Sequence, residues 1–193
     1  MNRVITISRE FGSGGRTIGK LSAERLGIPC YDQELIEKIE GKSGLAKEYI
    51  AERGEYTLRG GWLANAFADR SLNGLSVQDY LWTIQRKTIL ELAEEGPCVI
   101  VGRCADYILD GRADLLKVFI HASIEARAKR IVEKYGESAE APEKRLRDKD
   151  IRRSSYYHFY TDVEWGIAKN YDVALDSGTL GLDRCVDIIT SLY

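Results

Sequence analysis

The sequence predicts an α/β fold, a mostly parallel sheet covered by helices on both faces. Three observations carry that prediction. Short apolar runs alternate with amphipathic stretches along the chain. The run Cys98-Val99-Ile100-Val101 is apolar at every position, which suits a central strand buried on both faces. The glycine-rich segment Gly12 to Gly15 lies between the first apolar run and the first amphipathic one. In such sheets ligands bind beyond the carboxyl ends of the strands, so the residues after each strand are the candidates for function.

The elements follow in order. Val4 to Ile7 reads as a strand, and Arg16 to Leu26 as a helix with Ile18, Leu21 and Leu26 on one face and Gly27 as its stop. Pro29 to Tyr31 suits a second short strand, and Glu34 to Ile39 starts another helix. Glycines at 41, 44, 54, 60, 61 and 74 break the stretch 41–75 into small helices and loops. Val77 to Glu94 is a helix with Leu81, Ile84, Thr88 and Leu92 repeating at three or four, closed by Gly96-Pro97. Leu115 to Ile120 is a strand. Ser123 can cap a helix from Ile124 to Tyr135, with Glu125 in its first turn. Pro142 to Tyr160 is charged and then aromatic, Val173 to Leu175 is a last strand, and Leu182 to Leu192 a last helix.

With 193 residues the chain suits one domain with its own core. Its 28 basic and 30 acidic residues leave a net charge of -2, which argues against a general nucleic-acid binder. Cys30, Cys98, Cys104 and Cys185 form no CxxC pair, and His121 and His158 lack metal-ligand spacing, so neither zinc nor a disulfide framework is expected. No apolar run approaches the roughly 18 residues of a membrane helix, and no leader is evident. A cytoplasmic protein with no membrane partner is expected.

The segment 8–17 has the context of a phosphate-binding loop, between a strand and a helix. Glycines allow consecutive amides to approach phosphate oxygens, and the helix N-terminus adds its positive end. Against GxxxxGK[ST], Glu10 stands in place of the first glycine and Arg16 in place of the lysine. Arg16 keeps the charge on a planar fork, and the Thr17 hydroxyl suits Mg²⁺.

Other strand ends carry charge. Arg103 and Asp106 follow the third strand and suit an anionic, hydrogen-bonding substrate. The segment 144–153 holds Lys144, Arg145, Arg147, Lys149, Arg152 and Arg153 with Asp148 and Asp150 between them. It reads either as a solvated helix face or as a lid that brings cations over a transferring phosphoryl group. Trp62, Trp82 and Trp165 read as packing anchors, with base stacking the alternative. Gln85 and Arg86 face either an acceptor pocket or solvent.

Taken together, the 7–17 loop, Val99-Ile100-Val101-Gly102-Arg103, the Ala122-Ser123 helix start, the segment 147–153 and Tyr171-Asp172-Val173-Ala174-Leu175-Asp176-Ser177 resemble the cytidylate kinase family. Tyr156-Tyr157-His158-Phe159-Tyr160-Thr161 and Trp165-Gly166 look like its cytidylate kinase-like branch. The resemblance implies a P-loop NTPase fold with a five-stranded parallel sheet, a nucleoside monophosphate-binding insertion at about 32–86 and a helical lid at about 136–165. It implies transfer of the γ-phosphoryl of ATP, with Mg²⁺, to a pyrimidine nucleoside monophosphate. By position, Gly12, Ser13, Gly14, Gly15, Arg16 and Thr17 would hold the ATP phosphates, with Thr17 on Mg²⁺. Arg16, Lys149 and Arg153 would act at the transferring group, with Arg147 and Arg152 as adjacent candidates. Asp32, Lys38, Arg103, Asp106 and Asp150 would serve the acceptor. The chain departs from the family at Val101 and Cys104, where aspartates flank Gly-Arg, and at Gln33 and Glu37-Lys38 in the acceptor motif. Two alternatives stand beside this reading: a kinase of another small metabolite, and a nucleotide-binding regulatory protein with little catalysis.

Overall fold

The structure, a computed structural model, describes residues 3–32, 35, 37–39, 41, 77–136 and 140–193. In order these form β1 (Arg3–Arg9), α1 (Gly15–Leu26), β2 (Cys30–Tyr31), α2 (Val77–Glu95), β3 (Cys98–Val101) and α3 (Ala105–Ile108). Then come β4 (Asp114–His121), α4 (Ile124–Tyr135), α5 (Pro142–Thr161), a 3₁₀ turn (Ala168–Asn170), β5 (Val173–Asp176), α6 (Ser177–Leu180) and α7 (Leu182–Ser191). Apart from the helix expected from Glu34 to Ile39, which lies partly outside the described residues, the expected elements are present within a few residues; α3, α6 and the 3₁₀ turn are additional. The expectation of small helices and loops over 41–75 falls, beyond Gly41, outside the described residues, as does Trp62.

The sheet has the order β2-β3-β1-β4-β5, and every neighbouring pair is parallel. Period-2 alternation divides its side chains between two cores. Val4, Cys98 and Ile100 face Leu81, Ile89 and Leu92 of α2, Ala105 and Ile108 of α3, and Tyr156 and Tyr157 of α5. Ile5, Ile7, Val99, Val101, Val118 and Ile120 face Ile18 and Ala23 of α1 and Val186 and Ile189 of α7. A third cluster of Ala128, Ile131 and Leu146 joins α4 to α5, with Phe11 and Ile124 at its edge.

The buried stripe of α1 is Gly15, Ile18, Gly19, Ser22 and Ala23. The expected face is corrected here: Leu21 is 36% exposed. Small residues form the stripe because the helix lies close on the sheet. A Cβ on Gly19 would come within 2.9 Å of Val101 Cγ2. The apolar residue at 101 is thus part of the floor beneath α1.

Ser123 caps α4 as expected, its hydroxyl accepting from the Ala126 amide at 3.2 Å. Pro142 opens α5 at N1, where its missing N–H costs nothing. The two halves of α5 have different surroundings. Its charged first half lies along α4, and its aromatic second half packs into the core. Trp82 stacks on Tyr160 at 4.2 Å between centroids, and Trp165 packs edge-on to Phe119 at 5.3 Å. Among the described residues, no helix is long and apolar enough to cross a membrane.

Candidate active site

The carboxyl ends of β1, β2 and β3 open into a cleft of about 610 Å³, within the ordinary range for a small-molecule site. Among the described residues, Arg9, Arg16, Arg103, Arg130, Lys134, Lys149 and Arg153 line it, against only Glu10, Asp32 and Glu133. A chain that is slightly acidic overall therefore concentrates positive charge here, as a polyanionic ligand requires.

The floor is the glycine loop. Gly14 caps α1 at φ 83°, and a Cβ there would lie 2.6 Å from Leu182 Cδ2, so no larger residue fits. Gly12, Gly14, Arg16 and Thr17 line the cleft at the N-terminus of α1. Ser13 and Gly15 are buried behind it, Ser13 Oγ donating to the Glu10 carbonyl at 2.9 Å. Arg16 Nε donates to Asp32, which follows β2 and also lines the cleft.

Glu10 occupies the position of the missing first glycine. Its Oε2 accepts the Ala122 amide at 3.1 Å and lies 3.4 Å from Arg127 Nε. Burial raises its pKa, and those two contacts only partly offset the rise.

Beyond β3 the backbone makes a left-handed turn over Gly102, Arg103 and Cys104, with φ of 75°, 61° and 55°. Two of these three residues are not glycine, and each carries about 1–2 kcal/mol of strain. Gln85 on α2, only 2% exposed, holds the turn. Its Nε2 donates to the Arg103 carbonyl at 3.0 Å and to the Tyr156 hydroxyl at 3.3 Å, and Arg103 Nη1 reaches its Oε1 at 3.4 Å. Arg103 is thereby aimed into the cleft. This resolves the two placements open for Gln85: it is buried behind Arg103.

Helix α5 contributes Lys149 and Arg153 to the lining. Arg153 is buried, donates to the Arg9 carbonyl at 3.1 Å and sits 5.6 Å over the Phe11 ring. Phe11, Ile131, Tyr135 and Leu182 provide the apolar part of the wall, with the Phe11 and Tyr135 rings nearly parallel at 6.5 Å.

Several expected site residues are placed elsewhere. Asp106 is buried beneath α5, accepting the Tyr157 hydroxyl at 2.9 Å, and burial raises its pKa. It does not line the cleft, because α3 turns it back into the core. Asp150 is also outside the lining: one oxygen accepts the Phe11 amide at 2.7 Å and the other meets Arg127 at 2.5 Å. Lys38 lies 3.8 Å from Glu95 and over the Tyr31 ring. Arg147 and Arg152 are on the exposed side of α5.

The sequence placed Arg9, Glu10 and Phe11 in the 8–17 loop without a role of their own, and gave no part to Arg130 and Lys134 in the lining or to Arg127 behind it. A signal for the α4 residues was present. Arg127, Arg130 and Lys134 are spaced by three and four after a strand end, which puts three cations on one helical face above the loop.

Comparison with known proteins agrees with this geometry. A sequence model of the cytidylate kinase-like family matches residues 4–179. A cytidylate kinase of Archaeoglobus fulgidus is 30% identical over 191 residues, covering 96% of this chain and 91% of that protein. The crystal structure of an uncharacterized protein from Eubacterium ventriosum superposes with a TM-score of 0.72 at 26% identity, covering 98% of this chain and 96% of that one. Shikimate kinase from Bacteroides thetaiotaomicron shares the fold at a TM-score of 0.57 and 16% identity, covering 100% of this chain and 98% of its own. With its parallel sheet, glycine loop and cationic cleft, this P-loop phosphotransferase belongs to the cytidylate kinase-like family.

Proposed function

We propose that the protein transfers the γ-phosphoryl group of ATP to a nucleoside monophosphate, with a pyrimidine acceptor of the CMP, dCMP or UMP type. The observation that carries this reading is the cationic cleft built over the N-terminus of α1. The pyrimidine preference rests on the relatives named as cytidylate kinases.

In this reading the amides of the 12–17 loop and Arg16 bind the ATP phosphates. Lys149 and Arg153 neutralise charge on the transferring group, and Arg103 holds the acceptor phosphate. Asp32 stands near both Arg16 and the acceptor side, so it orients the one and faces the other. The segment 32–86, most of it outside the described residues, completes the acceptor side, and 136–165 acts as the lid. The acceptor oxygen is already anionic, so positioning and charge stabilisation do the work and no general base is needed.

The family implies Mg²⁺. Thr17 and Asp32 are hard oxygen donors in the lining, which fits an ion that takes one or two protein oxygens and keeps waters. Thr17 would hold it together with the nucleotide. When bound, Mg²⁺ would neutralise charge on the nucleotide phosphates.

The test is ADP formation from Mg·ATP with CMP, dCMP, UMP, AMP, GMP, dTMP and no acceptor. Acceptor-dependent turnover highest with a pyrimidine monophosphate is the expected result. Turnover confined to AMP or GMP would remove the pyrimidine assignment. Silence across the panel with Mg·ATP bound would overturn the monophosphate reading.

A further inference from the structure

We infer that Arg127 and Asp150 are positioning residues for the phosphate loop, holding its backbone in the shape that binds anions. The inference rests on the reading that this loop takes the nucleotide phosphates.

Five consecutive carbonyls of the loop are occupied. The Arg9 carbonyl accepts from Arg153 at 3.1 Å, and the Glu10 carbonyl from the Ser13 amide at 3.3 Å and hydroxyl at 2.9 Å. The Phe11 carbonyl accepts from Arg127 at 3.2 Å, the Gly12 carbonyl from Arg130 at 2.8 Å, and the Ser13 carbonyl from the Ser177 hydroxyl. A trans peptide points its carbonyl and the following amide in opposite directions. Pinning the Phe11 and Ser13 carbonyls therefore turns the Gly12 and Gly14 amides the other way. Both glycines line the cleft, and neither amide has an acceptor among the described residues. Their alignment with the amides at the start of α1 makes an anion nest.

Arg127 is the centre of this clasp and does not line the cleft itself. It is 6% exposed and lies between two carboxylates, Glu10 at 3.4 Å and Asp150 at 2.5 Å. Asp150 closes the circuit by accepting the Phe11 amide at 2.7 Å. Phe11 is thus held at both its amide and its carbonyl by one ion pair, which removes its amide from the nest and sets the next peptide. Its guanidinium meets the Phe11 carbonyl and Asp150 through Nη1 and faces Glu10 with Nε, spreading one charge over both carboxylates. Because Asp150 belongs to α5, the root of the lid and the shape of the loop are one assembly.

The experiment compares wild type with Arg127→Lys, Asp150→Asn and the double variant. Arg127→Ala is avoided, since it would strand two partly buried carboxylates. Binding of Mg·ATP and of inorganic tripolyphosphate is measured by calorimetry below the unfolding transition of each protein, alongside kcat and both KM values. Each single variant is expected to lose at least tenfold in affinity for both probes, with the acceptor KM within twofold of wild type. The double variant should lose no more than the worse single, because the two residues act as one unit. Folded single variants that bind both probes within twofold of wild type would overturn the inference, whatever their melting temperatures. So would a multiplicative loss in the double variant. If the wild-type protein binds neither probe, the phosphate-loop reading itself fails, and that result is separable from the other two.

Discussion

Replacing Gln85 with leucine tests how the Arg103 wall of the cleft is built. Leucine has nearly the same volume, so packing around α2 is kept and the polar contacts alone are lost. The Arg103 carbonyl loses a donor at 3.0 Å, and the Tyr156 hydroxyl loses one at 3.3 Å. Both lie where water does not enter readily, and an unmade buried hydrogen bond costs about 1–3 kcal/mol. The 3.4 Å contact from Arg103 Nη1 is long and adds little. The expected destabilisation is about 2–6 kcal/mol, roughly 30- to 25,000-fold in the folding equilibrium. Urea unfolding with an unchanged m-value is the assay, and the acceptor KM should rise because Arg103 is no longer aimed. Gln85→Glu gives the internal control. It keeps an acceptor for the guanidinium but sets an oxygen against the carbonyl, so it too should be less stable than wild type. A loss below about 0.5 kcal/mol for leucine, or full stability for glutamate, would refute the claim that the carbonyl contact holds the left-handed turn.

Further outcomes follow from the same structure. Gly14→Ala forces a Cβ against Leu182 at a positive φ, so Mg·ATP affinity should fall by at least tenfold in calorimetry while the sheet stays intact by far-UV circular dichroism. Arg16→Ala removes a charged donor worth about 1.5–3 kcal/mol, so Mg·ATP should bind roughly 10- to 150-fold more weakly, with a shallower salt dependence. Asp106 has its folded pKa raised by burial, so its contribution to stability is complete below its unfolded pKa and is lost as pH rises through the folded value. The stability of wild type minus that of Asp106→Asn should therefore decline as pH is raised from about 4 to 8; parallel urea-midpoint curves would contradict this. Glu10 follows the same sign, so Glu10→Gln should flatten the pH dependence further.

Backbone patterning was legible in the sequence because its causes are local. Apolar alternation sets β1, β3 and β4, and the order strand, glycines, helix marks the loop before any tertiary contact is known. Charged residues were harder to place. A basic residue on an amphipathic helix reads as solvated unless its partners are known, and those of Arg127 come from a loop 116 residues away and a helix 23 residues on. Asp106 and Asp150 looked like substrate contacts because strand ends and lids usually carry them. Their burial depends on a four-residue helix and an ion pair that no periodicity reveals. Gln85 was ambiguous for the same reason: its face is defined by Tyr156, which approaches from the far end of the chain.

Val101 has a consequence for how this lineage can change. The valine fills the space that Gly19 leaves under α1, 1% exposed and in contact with the helix. Introducing a carboxylate there would bury a charge against an apolar floor, at a cost of several kcal/mol. Enlarging residue 19 first would collide with the valine. A larger residue at 19 therefore needs a smaller one at 101, so the two positions are expected to vary together among descendants of this sequence. The methyl of Val101 and the bare backbone of Gly19 thus form one fitted contact between sheet and helix.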